Sequence, residues 1–168
     1  MKSITEKCTA CRECCKFEED DVYFAPLFAE EEMKEVVKRF PVSFAPFKSS
    51  KTVFQIKLIK SKNDEKIFVC PLLDEETHLC KAYAQRPFDC RIWPFLFMKD
   101  KENKTVLACF DKDMCPRTDT MNKLEFNKYK EDVVEWIKTN NGFELIKENP
   151  FLVWNYEKDT SVISVVES

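Results

Sequence analysis

The amino-acid sequence predicts a small single-domain α+β fold with short hairpins and two main helices. The chain has 168 residues, which is the length of one domain. Two stretches repeat apolar residues at helical spacing, and several shorter stretches alternate apolar with polar residues as strands do. Because no internal repeat or low-complexity linker divides the chain, we treat 1–168 as a single domain.

Both helices are predicted from the spacing of their apolar residues. Residues 28–40 place apolar side chains at intervals of three and four, at Met33, Val36, Val37 and Phe40. Pro41 then ends this first helix. Residues 124–139 hold a longer stripe of Phe126, Tyr129, Val133, Trp136 and Ile137. We interpret that stripe as core packing and expect Asn140-Asn141-Gly142 to end the second helix with a left-handed residue.

The strands are predicted from alternation between polar turns. Residues 52–60 alternate, and after a polar turn residues 66–70 resume an apolar run that ends in a cysteine, which predicts a hairpin. A second hairpin is predicted from residues 95–98 and 105–110. A last strand is expected over 161–166, near the C-terminus.

Scarcity of glycine and histidine excludes several classes of functional site. The chain has one glycine and one histidine, His78. Phosphate-binding loops and dinucleotide fingerprints need two or more glycines, since the backbone must approach phosphate closely. Zinc hydrolases of the H-E-x-x-H type need two histidines. All three classes are therefore excluded.

The distribution of charge and apolar residues bears on partners and location. Acidic and basic residues interleave without a basic patch, at a net charge of −3, so we predict no nucleic-acid partner. No apolar run approaches the roughly 18 residues of a membrane helix, and the first residues lack the apolar core of a signal peptide. We expect a cytoplasmic protein without a membrane partner. Its cysteines should then be thiolate ligands or catalytic groups, because cytosolic proteins rarely keep structural disulfides.

Nine cysteines are the most informative feature, and four of them lie close to the N-terminus. Cys8, Cys11 and Cys14 repeat the spacing of the first three ligands in ferredoxin-type iron–sulfur sites. Residues 8–15 have no room for an apolar face, so we expect a loop. The adjacent Cys14 and Cys15 are expected to diverge and to serve different centres, and a vicinal disulfide is the alternative.

The remaining cysteines are spread singly along the chain. Cys70, Cys80 and Cys90 are each separated by nine residues, and Cys109 and Cys115 follow. No second C-x2-C knuckle is present, so a zinc ribbon is excluded and the fold itself must gather these thiols. Proline follows Cys70 and Cys115, as it follows the last ligand of bacterial ferredoxin motifs, which favours iron–sulfur over zinc. The alternative is that these cysteines are small buried hydrophobes.

The order of these motifs resembles the YkgJ-like cysteine-cluster family, a zinc- or iron-chelating domain named for its CxxCxxCC motif. The matching pieces are Cys8-x2-Cys11-x2-Cys14-Cys15, Cys70-Pro-x-Leu, Cys80-x2-Tyr and Arg86-Pro-x2-Cys90-Arg-x2-Pro-Phe. The resemblance covers 8–116, which we take as the metal-binding region, and leaves 120–168 to complete the fold with a helix and a strand.

The resemblance implies eight cysteines that chelate iron or zinc in one or two sites. Seven match by position: Cys8, Cys11, Cys14, Cys15, Cys70, Cys80 and Cys90. For the eighth we prefer Cys115, because of its proline, and hold Cys109 in reserve because it alternates within a predicted strand. Arg12 stands where many relatives have glycine.

Arginines near these cysteines are candidates for supporting contacts to the metal centre. Arg12, Arg86 and Arg91 lie within four residues of a candidate ligand. They could offset the negative charge of a polythiolate site, with Asp89 orienting one of them, or they could be surface residues. We do not expect His78 to be a ligand, because a lone loop histidine is usually solvent exposed.

Three functional hypotheses follow from the sequence. The leading one is a protein that binds an iron–sulfur cluster, of the 4Fe-4S type, for electron transfer, redox or sulfur chemistry with a protein partner. The alternative is a zinc protein whose tetrathiolate sites staple an interaction module. The third is an enzyme acting alone through an iron without a protein ligand. The radical-SAM spacing C-x3-C-x2-C is absent, and the sequence leaves enzymatic activity open.

Overall fold

The computed structural model describes residues 13–111 and 115–166, apart from the side chains at 13 and 117. The chain divides into two compact units, with the boundary between Arg91 and Ile92. Helices and strands occur together in these residues, so the α+β class is confirmed. The assignment of 1–168 to one domain, with a metal-binding region over 8–116, stays a prediction.

The first unit consists of short strands around one two-turn helix. Its elements are β1 (Lys16–Phe17), β2 (Leu27–Ala29), α1 (Glu30–Val37), β3 (Phe44–Pro46), β4 (Val53–Ile56), β5 (Ile59–Lys60), β6 (Phe68–Val69) and the beginning of α2 (Phe88–Ile92). The strands form two antiparallel sheets with the orders β2-β4-β3 and β1-β6-β5. Short 3-10 turns link them at Glu13–Cys15, Glu19–Phe24, Phe47–Ser49 and Tyr83–Gln85.

The first predicted hairpin is only partly correct. β5 does pair with β6, with Ile59 opposite Val69. β4 instead pairs with β2 on one side and β3 on the other, and Phe54 lies opposite both Phe28 and Pro46. Alternation in 52–60 identifies a strand but not its partner, and the partners here come from segments earlier in the chain. The prediction that 52–60 pairs throughout with 66–70 is therefore wrong.

The helix predicted over 28–40 is shorter than expected. Residues 27–29 form β2, so α1 begins at Glu30 and ends at Val37. Val36 is fully buried, whereas Val37 is 44% exposed. The buried side of α1 packs into a core cluster that contains Phe28, Val36, Ile56, Cys70, Leu72 and Ala82. A candidate metal ligand, Cys70, is thus part of the core of this unit.

Two carboxylates attach the segment around Cys90 to α1 and β2. Glu32 accepts hydrogen bonds from the backbone N–H groups of Ala29, at 3.0 Å, and Phe88, at 2.7 Å. Asp89 accepts one from the backbone N–H of Leu27 at 3.1 Å. Burial raises the pKa of Glu32, and the two N–H donors oppose that shift. These bonds fix the start of α2, the helix that contains Cys90.

Replacing Glu32 with alanine should destabilise the protein by about 2–6 kcal/mol. Ala29 and Phe88 are both buried, so two backbone N–H groups would lose their acceptor without gaining water, at about 1–3 kcal/mol each. Chemical denaturation measures the loss. Glu31→Ala is the matched control, because Glu31 lies in the same turn and pairs only with Lys34 on the surface. An equal loss in both variants would contradict the role given to Glu32.

The second unit is a three-stranded sheet with helices. Its elements are β7 (Phe95–Lys99), β8 (Thr105–Phe110), α3 (Pro116–Asp119), α4 (Lys123–Thr139), α5 (Gly142–Glu148) and β9 (Thr160–Val165). A 3-10 turn at Pro150–Leu152 follows α5. The antiparallel order is β7-β8-β9. The second predicted hairpin and the last predicted strand are thereby confirmed.

The predicted long helix is confirmed, since α4 covers Lys123–Thr139. The Asn122 side chain accepts hydrogen bonds from the N–H groups of Leu124 and Glu125, and Glu125 accepts one from the N–H of Asn122, which closes a capping box. The apolar stripe packs as predicted: Phe95 contacts the rings of Phe126 and Tyr129.

The predicted left-handed stop within 140–142 is confirmed. Asn141 takes the left-handed conformation, with φ 55°, and Gly142 begins α5. Asparagine tolerates this conformation better than most residues, so the chain does not need its glycine there. None of the helices in 13–111 and 115–166 is long and apolar enough to cross a membrane.

Candidate metal centre

A two-stranded pairing brings the N-terminal cysteines to Cys70. Cys14 and Cys15 lie in the turn Glu13–Cys15, directly before β1, and Cys70 directly follows β6. Because β1 pairs with β6, the ends of the two strands coincide, and the N–H of Cys70 donates to the carbonyl of Cys15 at 3.0 Å. Residues far apart in sequence therefore meet here through backbone register.

A tight fold of residues 70–80 places Cys80 next to the same core. Cys80 forms an isolated antiparallel bridge with Leu73, and its side chain packs against the core cluster that contains Cys70. The loop between them is closed by Asp74, which accepts hydrogen bonds from the N–H groups of Glu76 and Thr77. A short hairpin-like turn thus brings Cys80 close to the core cluster that contains Cys70.

Cys90 is positioned by α2 and by the loop in front of it. Arg91 donates to the carbonyl of Arg86 at 2.6 Å and to that of Ala84 at 2.9 Å, so its guanidinium links α2 to the turn Tyr83–Gln85. Together with the carboxylate contacts at Glu32 and Asp89, these bonds hold the helix start from both sides. The Cys90 thiol is consequently placed by side chains of its immediate neighbours.

The thiols of Cys14, Cys70, Cys80 and Cys90 influence one another electrostatically. Burial raises the pKa of Cys70 to about 12, and the nearby thiols of Cys80 and Cys14 add to this shift. Burial also raises the pKa of Cys90 well above its ordinary value, with contributions from Asp89 and from the other three thiols. The four thiols therefore lie within electrostatic range of one another, and burial is the main cause of the shifts at Cys70 and Cys90.

The pKa values of Cys14 and Cys80 are raised as well, although Cys14 lies in the exposed turn before β1. A hydrogen bond with Cys15 is the largest cause that raises the pKa of Cys14, followed by burial. Burial raises the pKa of Cys80. Such thiols lose their protons when a metal cation replaces them, because the cation reverses the electrostatic preference. In donor chemistry, the described thiols fit a thiolate-bound metal group.

Cys14 and Cys15 lie closer together than the sequence led us to expect. Their sulfur atoms are 4.0 Å apart, so the two side chains do not diverge. Both thiols are free, and the vicinal disulfide is not formed in this structure. The expectation that they serve different centres stays a prediction.

The full predicted ligand set is not assembled within the described residues. Cys8, Cys11 and Arg12 lie outside them. Within 13–111 and 115–166, no three cysteine, histidine or carboxylate side chains are close enough to share one metal ion. The structure thus brings together the region of Cys14, Cys15, Cys70, Cys80 and Cys90, and their roles as ligands stay a prediction.

Arg86 and Arg91 differ in what they contact. The Arg86 guanidinium lies 3.9 Å from the centre of the Tyr83 ring, and its charge opposes the upward pKa shifts of Cys14 and Cys80. Arg91 instead binds the backbone carbonyls of the preceding loop. Of these two predicted supporting residues, Arg86 is the one whose charge acts on the thiols.

His78 is a turn residue in the loop before Cys80. Its backbone is left-handed, with φ 62°, and its N–H donates to the carbonyl of Asp74 at 2.8 Å. The residue is half-buried rather than fully exposed. Its described role is therefore to shape the loop that returns the chain to Cys80.

Two further cysteines lie in the second unit. Cys109 is in β8, as its alternation predicts, and Cys115 precedes Pro116 at the start of α3; both are buried. Burial raises the pKa of Cys109 to about 12, and the nearby Cys115 is the next cause. The sequence did not reveal this pair, because a separation by five residues is not a typical ligand spacing. Whether Cys115 or Cys109 is the eighth ligand stays a prediction.

Cys109 should resist alkylation in the folded protein. A thiol with a pKa of about 12, against an ordinary 9.0, has roughly one thousandth of the usual thiolate fraction at neutral pH. The protonated thiol favours folding below pH 9, and that contribution is lost as the pH rises from about 9 through about 12. Mass spectrometry after iodoacetamide treatment at pH 8, before and after unfolding in guanidinium, measures the difference. Rapid labelling of Cys109 before unfolding would contradict this prediction.

Comparison with known proteins identifies one family. The family model CxxCxxCC, described as "Putative zinc- or iron-chelating domain", matches residues 7–132. This range begins just before Cys8 and ends within α4, so it includes all nine cysteines. No curated protein and no solved structure matches the chain.

Proposed function

The chain belongs to the CxxCxxCC family, and we propose that it binds an iron–sulfur cluster of the 4Fe-4S type through cysteine thiolates. The family match supports metal binding in general, for zinc or for iron. The proposal names one metal group, whereas the family match leaves zinc and iron open. It assigns the protein a role in electron transfer, redox or sulfur chemistry with a protein partner in the cytoplasm.

The mutual electrostatic influence of four described thiols is the observation that supports a cluster. Cys14, Cys70, Cys80 and Cys90 act on one another electrostatically. Among the described side chains, however, no three are close enough to hold one ion. A polynuclear cluster is wider than a single ion, so its ligands surround a larger volume. Four thiols that are neighbours without meeting at one point suit that volume.

The surroundings of the thiols suit a cluster with a net negative charge. An oxidised 4Fe-4S cluster with four thiolates carries a charge of about −2, which nearby cations and hydrogen bonds stabilise. Arg86 provides a cation near Cys14 and Cys80, and stacking on Tyr83 holds it in place. When bound, the cluster would supply one-electron transfer, while the apolar packing around Cys70 excludes water.

The partner is proposed to dock beside Cys80. Leu79 and Tyr83 flank this cysteine and are 43% and 39% exposed, although both are large and apolar or aromatic. Exposed apolar side chains next to a ligand give a short path between a cluster and a docked protein. The proposed electron path therefore leaves the protein at this edge.

Zinc is the second candidate, and one distance favours it. In a tetrahedral site with zinc–sulfur bonds of about 2.3 Å, the sulfur atoms lie about 3.8 Å apart. The sulfur atoms of Cys14 and Cys15 are 4.0 Å apart, close to that edge length. A zinc site would act as a structural staple of an interaction module.

Anaerobic purification separates the two candidates. We expect a brown protein with iron and acid-labile sulfide in equal amounts, and a broad visible absorption that bleaches on reduction with dithionite. A colourless protein with stoichiometric zinc would overturn the iron–sulfur proposal and support the zinc candidate. Metal analysis and the visible spectrum from one preparation suffice.

A further inference from the structure

A cavity in the second unit lies between the hairpin β7–β8, the end of β9 and the chain around α5. Its volume is about 560 Å³, within the range of roughly 300–1,000 Å³ typical of small-molecule sites. None of the described thiols lines it. The chemistry of its lining is therefore independent of the proposed metal centre.

The polar side of the cavity has an excess of positive charge. Lys99, Lys104 and Lys147 contribute to its lining. Lys104 pairs with Glu102 and Lys147 with Glu144, both through surface contacts. The half-buried Lys99 has no carboxylate within ion-pair distance among the described residues, so its charge is not neutralised.

Lys99 is instead held by a neutral hydroxyl group. Its Nζ donates to Oγ1 of Thr105 at 2.8 Å, and both residues line the cavity. Because Oγ1 accepts from the ammonium, the hydroxyl hydrogen of Thr105 is available to an incoming acceptor. An ammonium and a hydroxyl donor side by side match the two oxygen atoms of a carboxylate.

The opposite side of the cavity is apolar. Ile146, Pro150, Val153 and Val165 contribute to the lining, and Ile146 is buried in the wall. Val165 is 57% exposed on β9, at the side open to solvent. An apolar body bound against this wall would remove hydrophobic surface from water.

We propose that this cavity binds an organic carboxylate with an apolar body, with the carboxylate on Lys99 and Thr105 and the apolar part against Ile146 and Val153. The charge selects an anion, because Lys99 is the lysine of the lining that has no ion pair among the described residues. The apolar wall selects an amphipathic ligand over a small inorganic ion. This binding site is additional to the metal-binding function and does not depend on it.

Octanoate is the probe that tests the proposal, used on the full-length protein as purified. We expect saturable chemical-shift changes for amides in 99–105 and 146–153. Inorganic phosphate tests charge without an apolar body, and octylammonium tests the apolar chain with the opposite charge. Binding of either one as tightly as octanoate would overturn the proposal, as would the absence of saturable octanoate binding.

Variants of the anchoring lysine sharpen the test. Lys99→Met keeps the apolar stem and removes the charge, and we expect it to weaken octanoate binding at least tenfold. Lys99→Arg keeps the charge and should bind within a few-fold of the parent chain. The matched control is Lys138→Met, at an exposed lysine of α4 away from the cavity. Unchanged affinity in Lys99→Met would overturn the proposal.

A surface variant covers the case in which Lys99→Met does not fold. Val165→Glu adds a carboxylate at an exposed position beside the cavity, where the fold tolerates it. Repulsion between this carboxylate and the bound anion should also weaken octanoate binding several-fold. If this variant binds octanoate as the parent chain does, the proposal is wrong.

Discussion

Replacing Cys90 with alanine will remove nearly all metal from the purified protein. The Cys90 thiol is desolvated and is influenced by three other thiols, those of Cys14, Cys70 and Cys80, so it lies near three of the four other described candidate ligands of the first unit. Losing one thiolate from a four-ligand site leaves a coordination position that a buried alanine cannot fill. Metal affinity then falls by several orders of magnitude, and we expect a metal content below one tenth of the parent value by mass spectrometry.

Cys109→Ala is the matched control for this experiment. It also removes one poorly hydrated thiol, but from β8 in the other compact unit, where its neighbours are Cys115, Asp111 and Asp119. We expect this variant to keep its metal and to lose only about 1 kcal/mol of stability from the small cavity. If Cys109→Ala lost metal as Cys90→Ala does, Cys109 would replace Cys115 as the predicted eighth ligand. Full metal content in Cys90→Ala would remove Cys90 from the ligand set.

Removal of the metal will unfold the first unit. Structural zinc contributes about 10–16 kcal/mol to small zinc domains, and whole domains are stable by only about 5–15 kcal/mol. The strands of this unit are two to four residues long, and one candidate ligand, Cys70, belongs to its core. Strands this short have little stability of their own. We therefore expect the cooperative thermal transition of this unit to disappear after anaerobic chelation.

Hydrogen exchange resolves where the loss occurs. Amides of β4 and β6 should lose protection in the chelated protein, because both strands belong to the first unit. Restoring the metal under anaerobic conditions should restore protection. Unchanged exchange in these strands after verified metal removal would show that the metal does not stabilise the fold.

The sequence predicts best those elements whose partners are near in the chain. The pairing of β7 with β8 needs only a short turn, so alternation on both sides predicts it correctly. α4 has a complete apolar stripe and a capping box, so its bounds are predicted to within a residue. The position of Cys109 within a strand follows from the same alternation.

The sequence predicts less where distant segments decide the outcome. β4 is the central strand of a sheet whose outer strands, β2 and β3, are both earlier in the chain, and nothing in 52–60 identifies them. α5 has only seven residues, begins at a glycine and shows too few turns for a periodic signal. The acceptor role of Glu32 depends on Phe88, far along the chain, so a glutamate in a helix start gave no sign of it.

The proximity of the candidate thiols also depends on contacts between segments that are distant in the chain. Spacing identifies Cys14 and Cys15 as members of one motif, and the resemblance adds Cys70, Cys80 and Cys90. Their proximity, however, results from the pairing of β1 with β6 and from the bridge at Leu73. Neither contact has a local signal in the sequence.

The pairing of β1 with β6 also determines where the chain tolerates a change in length. Lys16 faces Val69 across the pair, directly beside Cys15 and Cys70. Deleting one residue from β1 would turn the side chains next to the deletion to the opposite face of the sheet, because strand side chains alternate. The turn at 62–66, by contrast, connects β5 to β6 and is exposed to solvent. A reporter peptide inserted at that turn should leave Cys15 and Cys70 in register across the pair of β1 and β6.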